Sequence, residues 1–156
     1  MMTDQAFVLE TMKRFGKVAA QSLQDRSPGM DGTQLYAEEE YIPSFSAAVT
    51  KQNMLTRKAG ATDGFVCKSS AGRVVRLIQN YDSTIYTQEP EELPAQWGFV
   101  WSTDPAKALP FIAISTSPYN TGECCTYEGH VWRSGQNGNV WAPGIVGVSW
   151  EDLGPV

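Results

Sequence analysis

Histidine occurs once and cysteine three times in this 156-residue chain, and that scarcity excludes most reaction chemistries at the outset. A nucleophile–histidine–acid site would have to use His130, which lies between Gly129 and Val131 in an expected strand, and no G-x-S-x-G element accompanies it. Cys67, Cys124 and Cys125 include no C-x-x-C pair. Adjacent cysteines on a strand point to opposite faces, so together with His130 they fit a zinc shell poorly. An odd count leaves at least one thiol free, and neighbouring cysteines bridge each other only with strain, which points to synthesis in a reducing cytosol. No phosphate loop or dinucleotide fingerprint is found. Glu89, Glu91, Glu92, Glu151 and Asp152 could supply the two placed carboxylates of a glycosidase, but they fall in loops and at a chain end, where solvation accounts for them. The expectation is a protein that is not an enzyme and needs no cofactor and no metal.

Basic charge is also short. The formal net charge is −5 and the sequence pI about 4.8, which argues against nucleic acid or an anionic membrane as partner. No apolar run approaches the roughly 20 residues of a membrane span. Met1-Met2-Thr3-Asp4-Gln5 lacks the basic and apolar regions of a secretion signal. With 42% hydrophobic and 19% charged residues the composition is that of a folded chain. Its length suits one ordinary domain or two small modules on a helical lead-in.

Within these bounds, residues 3–24 read as a helix, because Val8, Met12, Phe15, Ala19 and Leu23 recur at spacings of three and four. Thr3 or Asp4 can cap it, and Pro28-Gly29 ends it. Such a helix either packs on the rest of the chain or self-associates. Asp31-Gly32 opens a turn, Thr33–Tyr41 can hold one or two helical turns, and Phe45–Leu55 is ambiguous between helix and extended chain. From Phe65 the character becomes β: Phe65–Ser70 and Arg73–Ile78 flank the turn Ala71-Gly72, and Ala95–Trp101 forms a short aromatic strand after a polar loop, Asn80–Pro94.

Gly72 set against Gly129 reveals an internal repeat. Gly72–Asn80 and Gly129–Asn137 then share Gly, Val, Arg, Gln and Asn at matching offsets, with a cysteine before each glycine and a tryptophan, Trp97 or Trp150, closing each copy. The expected fold is mainly β: an N-terminal helix followed by two small three-stranded antiparallel modules. The expected boundaries are 1–58 for a helical docking or oligomerisation region, 59–103 for a degenerate first module and 104–156 for the second. Neither module is large enough to stand alone.

The stretch Tyr119–Leu153 carries Trp132, Trp141 and Trp150 among seven turn-forming Gly and Pro residues. Trp150 is the natural core plug, faced by Trp132 or Val131 from the central strand. Trp141, in Asn139-Val-Trp-Ala-Pro-Gly144, sits where a ring is hard to bury. An exposed indole on a turn can stack on a pyranose face or dock against protein, and both readings stand. Tyr86 is the corresponding aromatic of the first copy, and Tyr127 can flank either platform.

Tyr119-Asn-Thr-Gly122-Glu-Cys-Cys125, Glu128-Gly129-His-Val-Trp132, Trp141-Ala-Pro143 and the closing Trp150 together resemble the small chitin-binding type of carbohydrate-binding module, families 5 and 12. The resemblance implies that Trp141 is the ligand-stacking ring and Trp150 a core residue. It is looser over Phe65–Trp101, where Tyr86-Thr-Gln-Glu-Pro-Glu replaces the Trp-x-Pro element. A wider resemblance, carried by Ala37–Pro43 and Asn139–Gly144, is to tail-associated proteins of bacterial prophages. It implies a virion component made in the host cytosol without a signal peptide. The resulting expectation is non-catalytic binding of a cell-surface polysaccharide or glycan, with Trp141, Tyr127, Trp132 and Tyr86 as ligand-binding residues. Other phage tail or virion proteins and a homo-oligomer are the expected protein partners, with no nucleic acid and no membrane. The alternative is a structural tail component whose modules make protein contacts.

Overall fold

A computed structural model of the chain describes residues 4–50 and 64–156. Helix α1 runs Asp4–Arg26, α2 Gly32–Ala37 and α3 Phe45–Val49. The strands are β1 Val66–Lys68, β2 Val74–Leu77, β3 Trp97–Phe99, β4 Leu109–Pro110, β5 Cys124–Tyr127, β6 His130–Ser134 and β7 Trp150–Pro155. The helical readings over 3–24 and 33–41 hold, and the ambiguous segment is helical from Phe45 to Val49. Residues 51–55 of that segment, the proposed cap Thr3, the boundary at 58/59 and the side chains of Val8 and Met12 lie outside the described residues. None of the described helices is long and apolar enough to cross a membrane.

The architecture corrects the expectation of a mainly β chain with two three-stranded antiparallel modules. It is mixed helix and β, with one three-stranded sheet in the order β1-β2-β3 and one four-stranded sheet in the order β4-β5-β6-β7. The added strand β4 lies parallel to β5, pairing Leu109 with Cys125 and Pro110 with Thr126. Parallel neighbours are joined by a long crossover rather than a local turn, so nothing in the sequence near Pro110 signals the pairing. Proline is tolerated there because β4 is an edge strand, and Phe111 N–H continues the ladder to Thr126 O at 2.9 Å.

Apart from that strand, the repeat is visible in the register. Each hairpin turns through a positive-φ glycine, Gly72 (φ 86°) or Gly129 (φ 78°), a conformation that carries no steric penalty only in glycine. The position five residues on, Leu77 or Ser134, pairs with the first residue of the third strand, Trp97 or Trp150. Arg76 and Arg133, four residues on, likewise pair with the residue after that tryptophan, Gly98 or Glu151. The two cysteines face the same register position as well, Cys67 opposite Val75 and Cys125 opposite Trp132.

The first sheet is covered on both faces. Val66 and Val74 on one side join Leu23, Leu35, Tyr36 and Ile42 of the helical region. Cys67, Val75, Leu77, Trp97 and Phe99 on the other side join Phe45, Trp101, Tyr119 and Cys125, with Trp132 and Trp150 packed against them. Residues of α1 and α2 cover one face of the first sheet, α3 and the second sheet pack on the other, and the apolar core is continuous between the two sheets. Burial pushes the Cys125 thiol up to about 12 and the Cys67 thiol higher still.

A strand sunk this deeply cannot leave its edge groups unpaired. The Gln24 side chain lies alongside β1 as a neighbouring strand would, with Nε2 donating to Val66 O at 2.7 Å and Oε1 accepting from Val66 N at 3.0 Å. Lys68 N donates to Pro43 O at 2.9 Å. Arg76, buried in β2, donates to Ser27 O at 2.9 Å just beyond the end of α1. Gly32 opens α2 hard against the chain after β3, where a Cβ would overlap Trp101 O. Replacing Gln24 by alanine strands a buried N–H and a buried C=O, each costing about 1–3 kcal/mol. Urea denaturation of Gln24→Ala is therefore expected to show a loss of about 2–4 kcal/mol, and a loss under about 0.5 kcal/mol would mean that water replaces the amide.

Candidate functional site

The second sheet presents its aromatic residues in a definite arrangement. Register places Cys125, Tyr127, His130, Trp132, Trp150 and Asp152 on one face. Where that face meets the first sheet, a column of rings closes the gap. Phe99 stacks on Trp101 at 5.9 Å, Trp101 on Tyr119 at 4.4 Å and Tyr119 on Phe111 at 5.5 Å. Trp150 meets Tyr119 and Phe111 edge-on at 5.5 and 6.1 Å. Trp101 Nε1 donates to Ser117 O at 3.0 Å. Trp150 accordingly packs at the margin of the core rather than in its centre, half-buried against these rings.

Trp141 lies in the loop between β6 and β7 with 47% of its surface exposed. The loop is held beneath it. Asn139, fully buried, exchanges backbone hydrogen bonds with Tyr119 at 2.8 Å in both directions. Its side chain donates to Ser134 Oγ at 3.2 Å and accepts from Trp141 N at 3.2 Å. On the other side, Trp150 Nε1 donates to Trp141 O at 2.9 Å. The half-buried Trp150 therefore anchors the backbone of the exposed tryptophan. The ring itself has no aromatic partner among the described residues.

The other sequence-derived candidates are distributed differently. Tyr127 and Trp132 come together, with Trp132 Nε1 donating to Tyr127 O at 3.1 Å, and both are half-buried. Tyr127 meets Phe111 edge-on at 6.1 Å, and Trp132 packs against the core, so both have structural duties. His130 lies beside Trp132 at 6.3 Å and pairs with Asp152 at 2.9 Å. The His130 hydrogen bond, with one from Gly154 N–H, holds the Asp152 carboxyl below the usual range. Tyr86 is exposed in the loop between β2 and β3 of the first sheet, its backbone N–H turned back to Asp82 O at 3.0 Å. It is not gathered with the other three.

A carboxyl that the sequence reading did not single out has the most perturbed acidity among the described carboxyls. Glu123 immediately precedes β5, and burial together with the Asp31 charge pushes its pKa from 4.5 to about 7, with hydrogen bonds from Asn120 acting in the opposite direction. Its neighbours Cys124 and Cys125 are both buried. An acidic residue next to two buried cysteines was the available signal, but which strand end sinks inward depends on packing. Among the described residues no lysine, arginine or histidine forms an ion pair with it.

Because the folded chain retains this proton to about pH 7 while the unfolded chain releases it near 4.5, stability falls as pH rises across that window and is level above it. Glu123→Gln removes the penalty. Its melting temperature should exceed that of the wild type at pH 8 and match it at pH 4; parallel melting curves at both pH values would show that the carboxyl is hydrated.

No protein-family model, no curated protein and no solved structure matches this chain.

Proposed function

We propose that the chain is a non-catalytic glycan-binding protein in which Trp141 forms the stacking platform, Tyr127 and Trp132 line the adjoining sheet face, and Tyr86 offers a separate contact on the first sheet. The observation that carries this reading is the combination of an exposed indole and a fixed backbone under it. Sugar C–H faces stack on flat apolar rings, and a platform immobilised before binding loses little conformational entropy on capture. Asn139 and Trp150 hold both backbone polar groups of Trp141, so only the ring's own torsions remain to be ordered. In keeping with the prophage-tail resemblance, the ligand class is a cell-surface polysaccharide, and the setting is a virion tail assembled from other tail proteins. A single shallow platform binds weakly, and several copies in a homo-oligomer would supply avidity.

A second reading has an observation of its own. Beyond Trp141 the same loop exposes Ile145 at 48% and Val146 at 99%. Three neighbouring apolar side chains suit a protein contact better than a sugar, which favours a tail assembly component.

Retention on insoluble chitin and on purified bacterial cell wall distinguishes the two. Trp141→Ala should fold normally, since the ring contributes little to the core, and should lose about tenfold or more in retention, the equivalent of one stacking contact of roughly 1–2 kcal/mol. Val146→Asp should leave retention intact. Wild-type protein that passes through both matrices, with Val146→Asp failing to enter particles, would sink the glycan reading in favour of assembly.

A further inference from the structure

Helix α1 docks on the fold through its last turns. Among its described residues only Leu23 and Gln24 are buried, and Gln24 and Arg26 fasten it by hydrogen bonds to Val66 and Glu38. The turns before them leave the fold: residues 14–18 are exposed, Phe15 by 71% and Val18 by 67%. From Asp4 to Ser22 the helix is about 28 Å long.

The apolar stripe does not end where the docking ends. Val8, Met12, Phe15 and Ala19 follow spacings of four, three and four in the sequence, the alternation of the a and d positions of a two-stranded coiled coil. Leu23 prolongs the stripe and is the member that enters the core. A helix in water takes most of its stability from packing an amphipathic face. Gly16, with nothing within 4 Å of where its Cβ would stand, weakens the helical propensity of this stretch further. The exposed stripe therefore calls for a second helix.

Charge selects the occupant. Asp4 and Glu10 come first along the helix, and Lys13, Arg14 and Lys17 follow. The stretch before Leu23 is thus acidic in its first half and basic in its second. Two copies running antiparallel set the acidic half of each against the basic half of the other. Parallel copies would set acid on acid and base on base, an arrangement that opposes association. Antiparallel pairing also sends the two folded bodies to opposite ends of the helix pair. We propose that α1 is a self-association element, in which the stripe through Phe15 pairs with the same stripe of a second copy in antiparallel orientation. The contact is independent of what Trp141 binds.

Sedimentation velocity and light scattering on the full chain at micromolar concentration provide the test. The expected mass is that of a dimer of the 17.1 kDa chain. Phe15→Asp should weaken the dimer about a hundredfold or more, since it replaces an interfacial ring by a charge in both copies. Its tryptophan fluorescence and melting temperature should match those of similarly dilute wild type, because Phe15 lies outside both core clusters. Lys13→Glu combined with Lys17→Glu should weaken the dimer about tenfold, and adding Asp4→Lys and Glu10→Lys should restore it, since the reversed halves again complement one another. Trp141→Ala should dimerise like the wild type, so failure of the glycan reading leaves this contact standing. A protein that is monomeric throughout, or a trimer or larger assembly, overturns the proposal. So does a Phe15→Asp protein that dimerises like the wild type. A Val146→Asp protein that fails to dimerise also overturns it, by moving the contact to the Trp141 loop. Charge reversal without effect overturns the antiparallel arrangement.

Discussion

A three-stranded sheet covered on both faces is the constraint from which the rest of the structure follows. Such a sheet has no solvent side on which to place polar groups, so each backbone donor and acceptor on its edge must find a partner within the protein. Gln24 meets that demand with one side chain, donating to and accepting from Val66, and Pro43 O takes the N–H of Lys68. The Tyr36 hydroxyl does the same at the far end, accepting from Val74 N at 3.0 Å and donating to Val100 O at 3.1 Å. The helical region is thereby bound to the sheet by specific hydrogen bonds as well as by apolar contact. A hydrophobic surface alone would let the layers slide; these bonds fix their register.

The second sheet depends on the first through the ring column. Phe99 and Trp101 extend from β3, Tyr119 and Phe111 approach from the second sheet's side, and their stacking at 4.4–5.9 Å ties the layers together with each pair contributing roughly 0.5–1.5 kcal/mol beyond its buried area. Tyr119 is central to this arrangement. It stacks on two rings, and its backbone also holds Asn139, which in turn holds Trp141. The residue that carries the exposed indole is therefore connected, through Asn139 and Tyr119, to the core. The same chain of contacts explains why a loop rich in glycine and valine can carry a fixed aromatic platform.

Much of this could be read from local pattern. The α1 spacing, the two hairpins and the repeat are all periodic signals, and the register that pairs Leu77 with Trp97 and Ser134 with Trp150 realises the alignment of Gly72 with Gly129 closely. The exposure of Trp141 and Tyr86 also follows from their turn-rich surroundings. What local pattern missed involves partners distant in sequence. β4 pairs in parallel with β5 without a turn to announce it. Gln24 sits in a helix where glutamine is usually a solvated residue, and only its proximity to Val66 gives it a structural role. Glu123 looks like any acid before a strand, yet packing leaves it in a cavity with Asp31.

The sequence by itself determined the long helix and the two hairpins with their strand faces, because helical spacing, alternation along strands and positive-φ glycines are consequences of backbone geometry within a few residues; it did not determine the covered face of α1, where Phe15 is exposed. Only the tertiary structure decided that the two copies share one core, that a fourth strand joins the second sheet, and which polar side chains are drawn inside. Those outcomes depend on burial and on pairing between segments tens of residues apart, and their free energies exist only once the layers have come together.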